Sequence, residues 1–407
     1  MNTEILVIGD EIISGHITDT NSSWLAKNLF VEGFPVKHIT AAGDKLDEII
    51  SVLKNIQKRS RLLFITGGLG PTHDDITRQA LARFFKKRLV MHRPSLRRIH
   101  NFLASRNYPV PKCNSIQAMI PADFNIIPNQ TGTAPGFYYQ TEKFTCFCMP
   151  GVPSEMKAMM QSFILPLIKK KFIPEIFRTA ILKTAGIGES LLFEKTGRFV
   201  GGPVRVAFLP SAAGVDIRFS ISTGEDPGGR IIKNTLRDFR KCLGRHIISN
   251  KNETLSGTAG RLLVKHKKTI ALAESCTGGL ASSMLTDLPG SSAFFTGTVV
   301  CYHNNIKRII GVKKNTLEKF GAVSRETALE LAWGIRKYLH TGLGLAITGI
   351  AGPGGGSKTK PVGTVWIALS DGKKSCAEKY RFWTERSANK ERFACAALHL
   401  IIKFLKS

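Results

Sequence analysis

Two stretches of this chain, one towards each end, alternate short apolar runs with amphipathic segments. That alternation limits the fold more than any other feature. Near the N-terminus, Glu4–Asp10 is an apolar run closing on Gly9 and Asp10. Thr20–Phe30 reads as a helix, with Leu25 and Leu29 on one face and Thr20 or Asn21 as its cap. Val36–Thr40 reads as a strand. Asp47–Ile56 has helical spacing of Ile49, Ile50, Leu53 and Ile56, and Arg61–Thr66 is a buried strand ending in Gly67-Gly68-Leu69-Gly70-Pro71. Strands alternating with helices predict a parallel α/β sheet. Ligands of such sheets bind beyond the carboxyl ends of the strands. Two loops are placed there, Gly9–Gly15 and Gly67–Thr77.

The last third follows the same order. A helix Leu255–Lys265 precedes a strand Thr269–Ala273, the segment Glu274–Gly279 and a helix Leu280–Leu288. Then come strand Gly297–Tyr302, helix Arg325–Leu339, strand Leu343–Ile347, loop Thr348–Gly356, strand Gly363–Ser370 and helix Lys390–Leu405. Between the two regions, Arg178–Thr184, Glu189–Phe199, Val215–Ile221 and Ile231–Leu243 read as a small α+β unit. The expected organisation is α/β: two α/β domains, residues 1–169 and 253–407, flanking a small α+β domain at 170–252. No internal repeat is evident.

A total of 407 residues suits several domains of ordinary size. Fifty-eight Lys and Arg against 30 Asp and Glu give a net charge of +28, which raises nucleic acid, membrane surface or anionic small molecules as partners. The charge is diffuse. Residues 257–407 carry 23 basic and 9 acidic side chains, residues 1–256 carry 35 and 21, and no basic tail stands out. Most of it reads as background, and neither a nucleic-acid partner nor a membrane partner is expected. Eight cysteines show no Cys-x-x-Cys pair and no zinc spacing. Cys146 and Cys148 alternate along an apparent core strand. Reduced cysteines, an opening strand at Glu4 that leaves no room for a signal peptide, and no apolar run of about 18 residues predict a cytoplasmic protein.

Three segments have the residue types that chemistry requires. In Gly67–Thr77, glycines let backbone amides approach a phosphate, while Asp74 and Asp75, with Glu11 nearby, offer hard oxygen ligands for a divalent ion. The plainer reading of the aspartates is a helix N-cap. In Glu274–Gly279, a strand–turn–helix junction lifts a nucleophile beside helix N-terminal amides; both Ser275 and Cys276 are candidates. Lys307, five residues after Tyr302, is either a buried base or a solvated lysine. Thr348–Gly356 reads as an anion-cradling loop, though it lacks the Walker A ending.

These motifs together resemble the CinA family along the whole chain. The N-terminal set is GDEIISG (Gly9–Gly15), TNSSWLA (Thr20–Ala26), TGGLGPTHDDITR (Thr66–Arg78), NSIQAMIP (Asn114–Pro121), GTAPGF (Gly132–Phe137) and PGVPSEM (Pro150–Met156). It is similar to the family's molybdopterin-binding-like domain. The C-terminal set is AESCTGG (Ala273–Gly279), YHNNIK (Tyr302–Lys307), AITGIAGPGGG (Ala346–Gly356) and KPVGTV (Lys360–Val365), similar to the nicotinamide-nucleotide amidase domain. The middle region resembles the KH-like domain but lacks the usual GxxG clamp, so RNA binding is not expected.

The resemblance implies that Ser275 is the nucleophile and Lys307 its base, with Tyr302 and Thr348 assisting, and no metal at this site. The implied reaction is hydrolysis of nicotinamide mononucleotide (NMN) to nicotinate mononucleotide and ammonia. Thr277, Gly278, Gly279, Gly352, Gly354, Gly355 and Arg386 would contact substrate, with amides near Gly278 and Gly279 holding oxyanion or phosphate. For the N-terminal site it implies a metal-dependent ADP-ribose pyrophosphatase. Gly67, Gly68 and Gly70 would face the phosphates, and Asp74, Asp75 and Glu11 would hold Mg²⁺ or a transition ion. A homodimer is also implied. The family's late arginine pair is matched by Arg386, with either Lys390 or Arg392 as its partner. The alternative is a nucleotide-binding protein with one or both sites silent, acting in competence or DNA-damage responses.

Overall fold

The computed structural model describes residues 2–406, which fall into two units divided between Phe177 and Arg178. The first holds strands β1 (Thr3–Ile8), β2 (Val36–Ala42), β3 (Leu62–Thr66), β4 (Leu89–Met91), β5 (Met119–Pro121), β6 (Asn125–Ile127), β7 (Gly136–Gln140) and β8 (Thr145–Met149). Six of them form one sheet in the order β2-β1-β3-β8-β7-β6. The first four are parallel, β7 and β6 add antiparallel at one edge, and β4 with β5 makes a separate ribbon.

Strands β1, β3 and β8 are buried throughout because helices cover both faces. The two-residue period divides their side chains between two cores. Leu6, Ile8, Leu63, Ile65, Cys146 and Cys148 face the helix Leu46–Arg59. Ile5, Val7, Leu62, Phe64, Phe147 and Met149 face the helix Asn21–Val31 and the Met156–Ile168 segment. Cys146 and Cys148 are therefore core residues, in agreement with their alternation.

In the second unit, β9 (Phe177–Thr184), β10 (Arg205–Ser211), β11 (Gly214–Ser222) and β12 (Ile247–Ser249) form a sheet ordered β10-β11-β9-β12. The helix Arg230–Leu243 buries Ile232, Leu236, Phe239 and Leu243 in its core. A second sheet follows: β13 (Ile270–Glu274), β14 (Phe295–Val300), β15 (Leu343–Gly349), β16 (Thr364–Ser370) and β17 (Ser375–Arg381), in the order β14-β13-β15-β16-β17. The first three are parallel and the last two antiparallel. The helices Leu255–Lys265, Leu280–Thr286 and Arg386–Lys406 cover one face. The helix Arg325–Tyr338 covers the other.

The α/β class and most boundaries agree with the periodicity, and the last helix starts four residues earlier than expected, at Arg386. No helix among the described residues is long and apolar enough to cross a membrane.

Phe393 is buried in the core of the last sheet and packs against Phe382 with ring centroids 5.9 Å apart. Phe393→Ala is expected to lower the stability of this half by about 3–5 kcal/mol through lost burial and the cavity left behind. Val264→Ala, on an exposed position of the same layer, is expected to change it by less than about 0.5 kcal/mol. Denaturant midpoints check both, and equal shifts would contradict this core assignment.

Candidate functional site

Both of these mixed sheets reverse their strand order within the parallel part, beside β1 in the first and β13 in the second. In the second unit the chain leaves β13 for β14 on one side and then crosses to β15 on the other. The carboxyl ends of β13, β14 and β15 carry Ser275, Tyr302 and Thr348 within two residues of each strand's end. A crevice for ligands is expected at such a switch point.

Ser275 follows β13 directly, and its amide donates to the Ile347 carbonyl at 3.0 Å, tying the turn to β15. The serine is 7% exposed and Lys307 1%. Lys307 Nζ lies 3.1 Å from Ser275 Oγ, 2.6 Å from the Cys301 carbonyl and 3.0 Å from the Tyr302 carbonyl. Burial is the main cause holding this amine below the ordinary lysine range. A neutral amine has two N–H donors and one lone pair, which match two carbonyl acceptors and one hydroxyl. In that state Lys307 donates to Cys301 and Tyr302 and accepts from the serine O–H. Burial pushes the Cys276 thiol up to about 12, so Cys276 is not the nucleophile this site presents at neutral pH.

Glu274 makes the turn. Its buried carboxylate accepts from the Gly279 amide at 2.9 Å, the Ala281 amide at 3.3 Å, and the Ser282 amide and hydroxyl at 2.8 and 2.6 Å. A carboxylate at a helix N-terminus satisfies amides that would otherwise have no partner and complements the helix dipole. One expectation changes as a result. The Gly279 amide is taken by Glu274 and the Gly278 amide by the Ser275 carbonyl at 3.2 Å, so neither is free for substrate. The intervening Cys276 and Thr277 amides are left in the turn, and the buried Thr277 hydroxyl has no hydrogen-bond partner among the described residues.

Around this centre, Thr348 is buried and its hydroxyl donates to the Ala322 carbonyl at 2.7 Å. The Tyr302 ring is 62% exposed at the rim. Arg386 joins the rim together, donating to the Gly352 carbonyl at 2.5 Å and to the Tyr302 hydroxyl at 3.3 Å. Asn389 is fully buried and donates to the Ala351 and Thr384 carbonyls at 3.0 and 2.7 Å, securing the glycine loop from below. A groove of about 650 Å³ is lined by Gly352, Pro353, Arg386 and Lys390 among others. Gly354 and Gly355 are exposed on the loop beyond it. Lys390 Nζ lies 3.9 Å from where a side chain on Gly278 would begin, while Arg392 stacks over the Phe382 ring. Of the two cations left open by the motif, Lys390 faces the site.

The first unit has its own switch point, between β1 and β3. A cavity of about 500 Å³ opens there, lined by Glu11, Asn21, Gly67, Gly68, Gly70 and Glu155 among others. Gly67, at φ 108°, would place a side chain 2.0 Å from the Ile8 carbonyl, so only glycine lets the loop cross β1 this closely. Arg78 is buried and donates to the Leu69 and Gly70 carbonyls at 2.8 and 2.6 Å. Asn21 donates to Thr66 Oγ1 and the Gly151 carbonyl, and its Oδ1 has no partner among the described residues.

The carboxylates expected to bind metal divide. Asp75 accepts from the Gly70 and Thr72 amides at 2.6 and 2.8 Å and so serves as the loop's clasp. Asp74 is exposed, and a hydrogen bond from Thr72 holds its carboxyl below the usual range. Glu11 folds over Gly9. No three Asp, Glu, His or Cys side chains among the described residues stand together as a metal cage. The donors fit only a hard cation that takes one or two carboxylates and keeps its other positions for water or substrate phosphate, the usual manner of Mg²⁺.

Sequence reasoning missed Glu155, Glu274, Asn389 and Arg78. Glu155 lines the first cavity, accepts from Asn129 Nδ2 at 2.5 Å and is raised above the carboxylate range by burial. Each of the four sits inside or beside a quoted motif, but only the fold reveals what it touches.

Two family models match. "Probable molybdopterin binding domain" covers residues 4–170, and "CinA C-terminal domain" covers residues 252–405. A CinA-like protein of Desulforapulum autotrophicum is 39% identical over 99% of this chain and 98% of its own. Another from Cytophaga hutchinsonii is 36% identical over 100% and 99%. The solved competence/damage inducible protein CihA of Agrobacterium tumefaciens is 35% identical over 39% of this chain and 100% of its own, with a TM-score of 0.36. With this identity sustained over nearly its full length, the chain belongs to the CinA family.

Proposed function

We propose that the C-terminal site hydrolyses the amide of nicotinamide mononucleotide, giving nicotinate mononucleotide and ammonia. The observation that carries this reading is the buried amine of Lys307 at 3.1 Å from Ser275 Oγ, with two carbonyls accepting its hydrogens. Ser275 Oγ attacks the amide carbonyl as its proton passes to Lys307 Nζ. The amides of Cys276 and Thr277 hold the oxyanion. Collapse breaks the C–N bond, Lys307 returns the proton to the nitrogen, and ammonia leaves. Water then attacks the acyl-serine with Lys307 again as base, freeing nicotinate mononucleotide and restoring the serine. Lys390 and Arg386, beside the groove, supply cations for the nucleotide phosphate.

For the N-terminal cavity we propose a nucleotide diphosphate ligand, with hydrolysis of ADP-ribose as the reaction. The glycine loop on its buried Arg78 and the buried, unpartnered oxygen of Asn21 at the cavity wall support it. A divalent ion held by Asp74 or Glu11 would neutralise phosphate charge there.

Purified protein is expected to release ammonia from nicotinamide mononucleotide. Ser275→Ala and Lys307→Ala are each expected to lose about three orders of magnitude in rate. If the wild type releases no more than Ser275→Ala, the site is silent and the nucleotide-binding reading replaces this one. Only the neutral amine can take the proton, so kcat/KM is expected to rise with pH and level off below the ordinary lysine value of 10.5; a profile falling over that range would contradict the base assignment. Lys390→Ala is expected to raise KM about tenfold with kcat little changed, whereas Arg392→Ala leaves both near wild type; the reverse pattern would overturn the choice of cation. ADP-ribose cleavage is expected to need added Mg²⁺ and to weaken in Asp74→Ala. Cleavage unaffected by chelator would remove the ion from this account.

A further inference from the structure

A third cavity has no part in either reaction. It measures about 630 Å³ and lies within the second unit, between the Gly244–Ile248 segment and the last helix. The Ala185 amide donates to the His246 carbonyl at 3.0 Å, joining the end of β9 to this segment. The His399 ring packs on the backbone of Gly186, where a side chain would begin 3.1 Å from the imidazole. Ile247, Ile248 and Ile402 form an apolar floor.

The charged groups facing it are unequal in number. From the Gly244–Ile248 segment come Arg245 and His246, from the last helix His399, Lys403 and Lys406, and from β17 only Glu378 and Tyr380. Glu378 is already engaged, since both Lys403 Nζ and the Tyr380 hydroxyl donate to it. Lys406 donates to the Ile247 and Ile248 carbonyls at 3.4 and 2.8 Å, and burial holds its amine below the ordinary lysine value against the pull of Glu253. Behind Lys406, Arg261 is paired with Glu253. The side chains of Arg245, His246 and His399 have no hydrogen-bond partner among the described residues. An exposed guanidinium at the rim and two half-buried imidazoles above apolar carbon, in a net positive field, suit an oxyanion whose oxygens accept several bonds at once.

We propose that this cleft is an additional binding site for a small phosphate-bearing anion, held by Arg245, His246 and His399. Burial, and then the nearby Lys403, His246 and Lys406, hold the His399 imidazole below its usual range, against the opposing pull of Glu378. An anion in the cleft favours the protonated ring. It therefore raises the titration midpoint of His399, and affinity falls as pH rises through that raised midpoint.

Inorganic diphosphate at constant ionic strength is the probe, read on the full chain by calorimetry and by the His399 ring proton in NMR, assigned with His399→Gln. Diphosphate is expected to move the His399 midpoint upward. Arg245→Ala, at an exposed position that folding does not require, is expected to weaken binding at this site about tenfold. Ser275→Ala and Lys390→Ala are expected to leave the His399 response intact, which separates this cleft from the proposed amidase site. An unmoved His399 midpoint at saturating diphosphate would overturn the proposal, as would equal affinity in wild type, Arg245→Ala and His399→Gln.

Discussion

The C-terminal site depends on one buried amine. Placing a lysine nitrogen at 1% exposure costs free energy unless it loses its charge or finds partners. The fold supplies two carbonyls and one hydroxyl, the number a neutral amine can use. The same backbone carries the constraint outward. The Cys301 amide donates to the Glu274 carbonyl at 2.8 Å, and the Glu274 carboxylate organises the turn that presents Ser275. Ser275, Lys307 and the helix N-terminus are thus fixed through two adjacent strand ends, β13 and β14.

The two units share one topological device and line it with different groups. Each sheet reverses its strand order within the parallel part, and each reversal opens a crevice at the strand ends. In the first, Gly67 allows the loop to pass against β1 and the buried Arg78 holds it, leaving a site of backbone amides and polar side chains suited to phosphate. In the second, a buried carboxylate occupies the helix N-terminus, so those amides are already satisfied, and the paired side chains of Ser275 and Lys307 stand beside them. That difference explains why the glycines of the two loops do not have equivalent roles.

Much of the architecture was legible because periodicity is a local property. The helix Leu255–Lys265 matches its expected limits, and β1, β3 and β13 lie within two residues of theirs. Strand β17 was not anticipated: Ser375–Arg381 is an edge strand rich in charge and has no apolar run. Ser275 and Lys307 are candidates from the residues alone, but their pairing is legible only through the family resemblance, since 32 positions separate them and no spacing rule spans two strands. The hydrogen bonds of Asp75 and of the Gly278 and Gly279 amides lie beyond the sequence for a physical reason. Residue type shows that an aspartate can ligate or an amide can donate, but only coordinates show that the group is already engaged. That Lys390 lies near Gly278 while Arg392 lies over the Phe382 ring is likewise visible only once the helix is placed.

The diffuse +28 charge receives a partial account. Lys390 and Arg386 stand at the proposed amidase groove, and Arg245, Lys403 and Lys406 at the third cleft. The remainder is spread over both units and belongs to no single surface. The most direct test of the central claim is the titration of Lys307 itself, followed by NMR of selectively labelled lysine side chains and assigned with Lys307→Met. This account predicts a midpoint clearly below that of the exposed lysines, moving when Ser275 is replaced by alanine. A Lys307 that titrates with the surface lysines, unaffected by the serine, would contradict it.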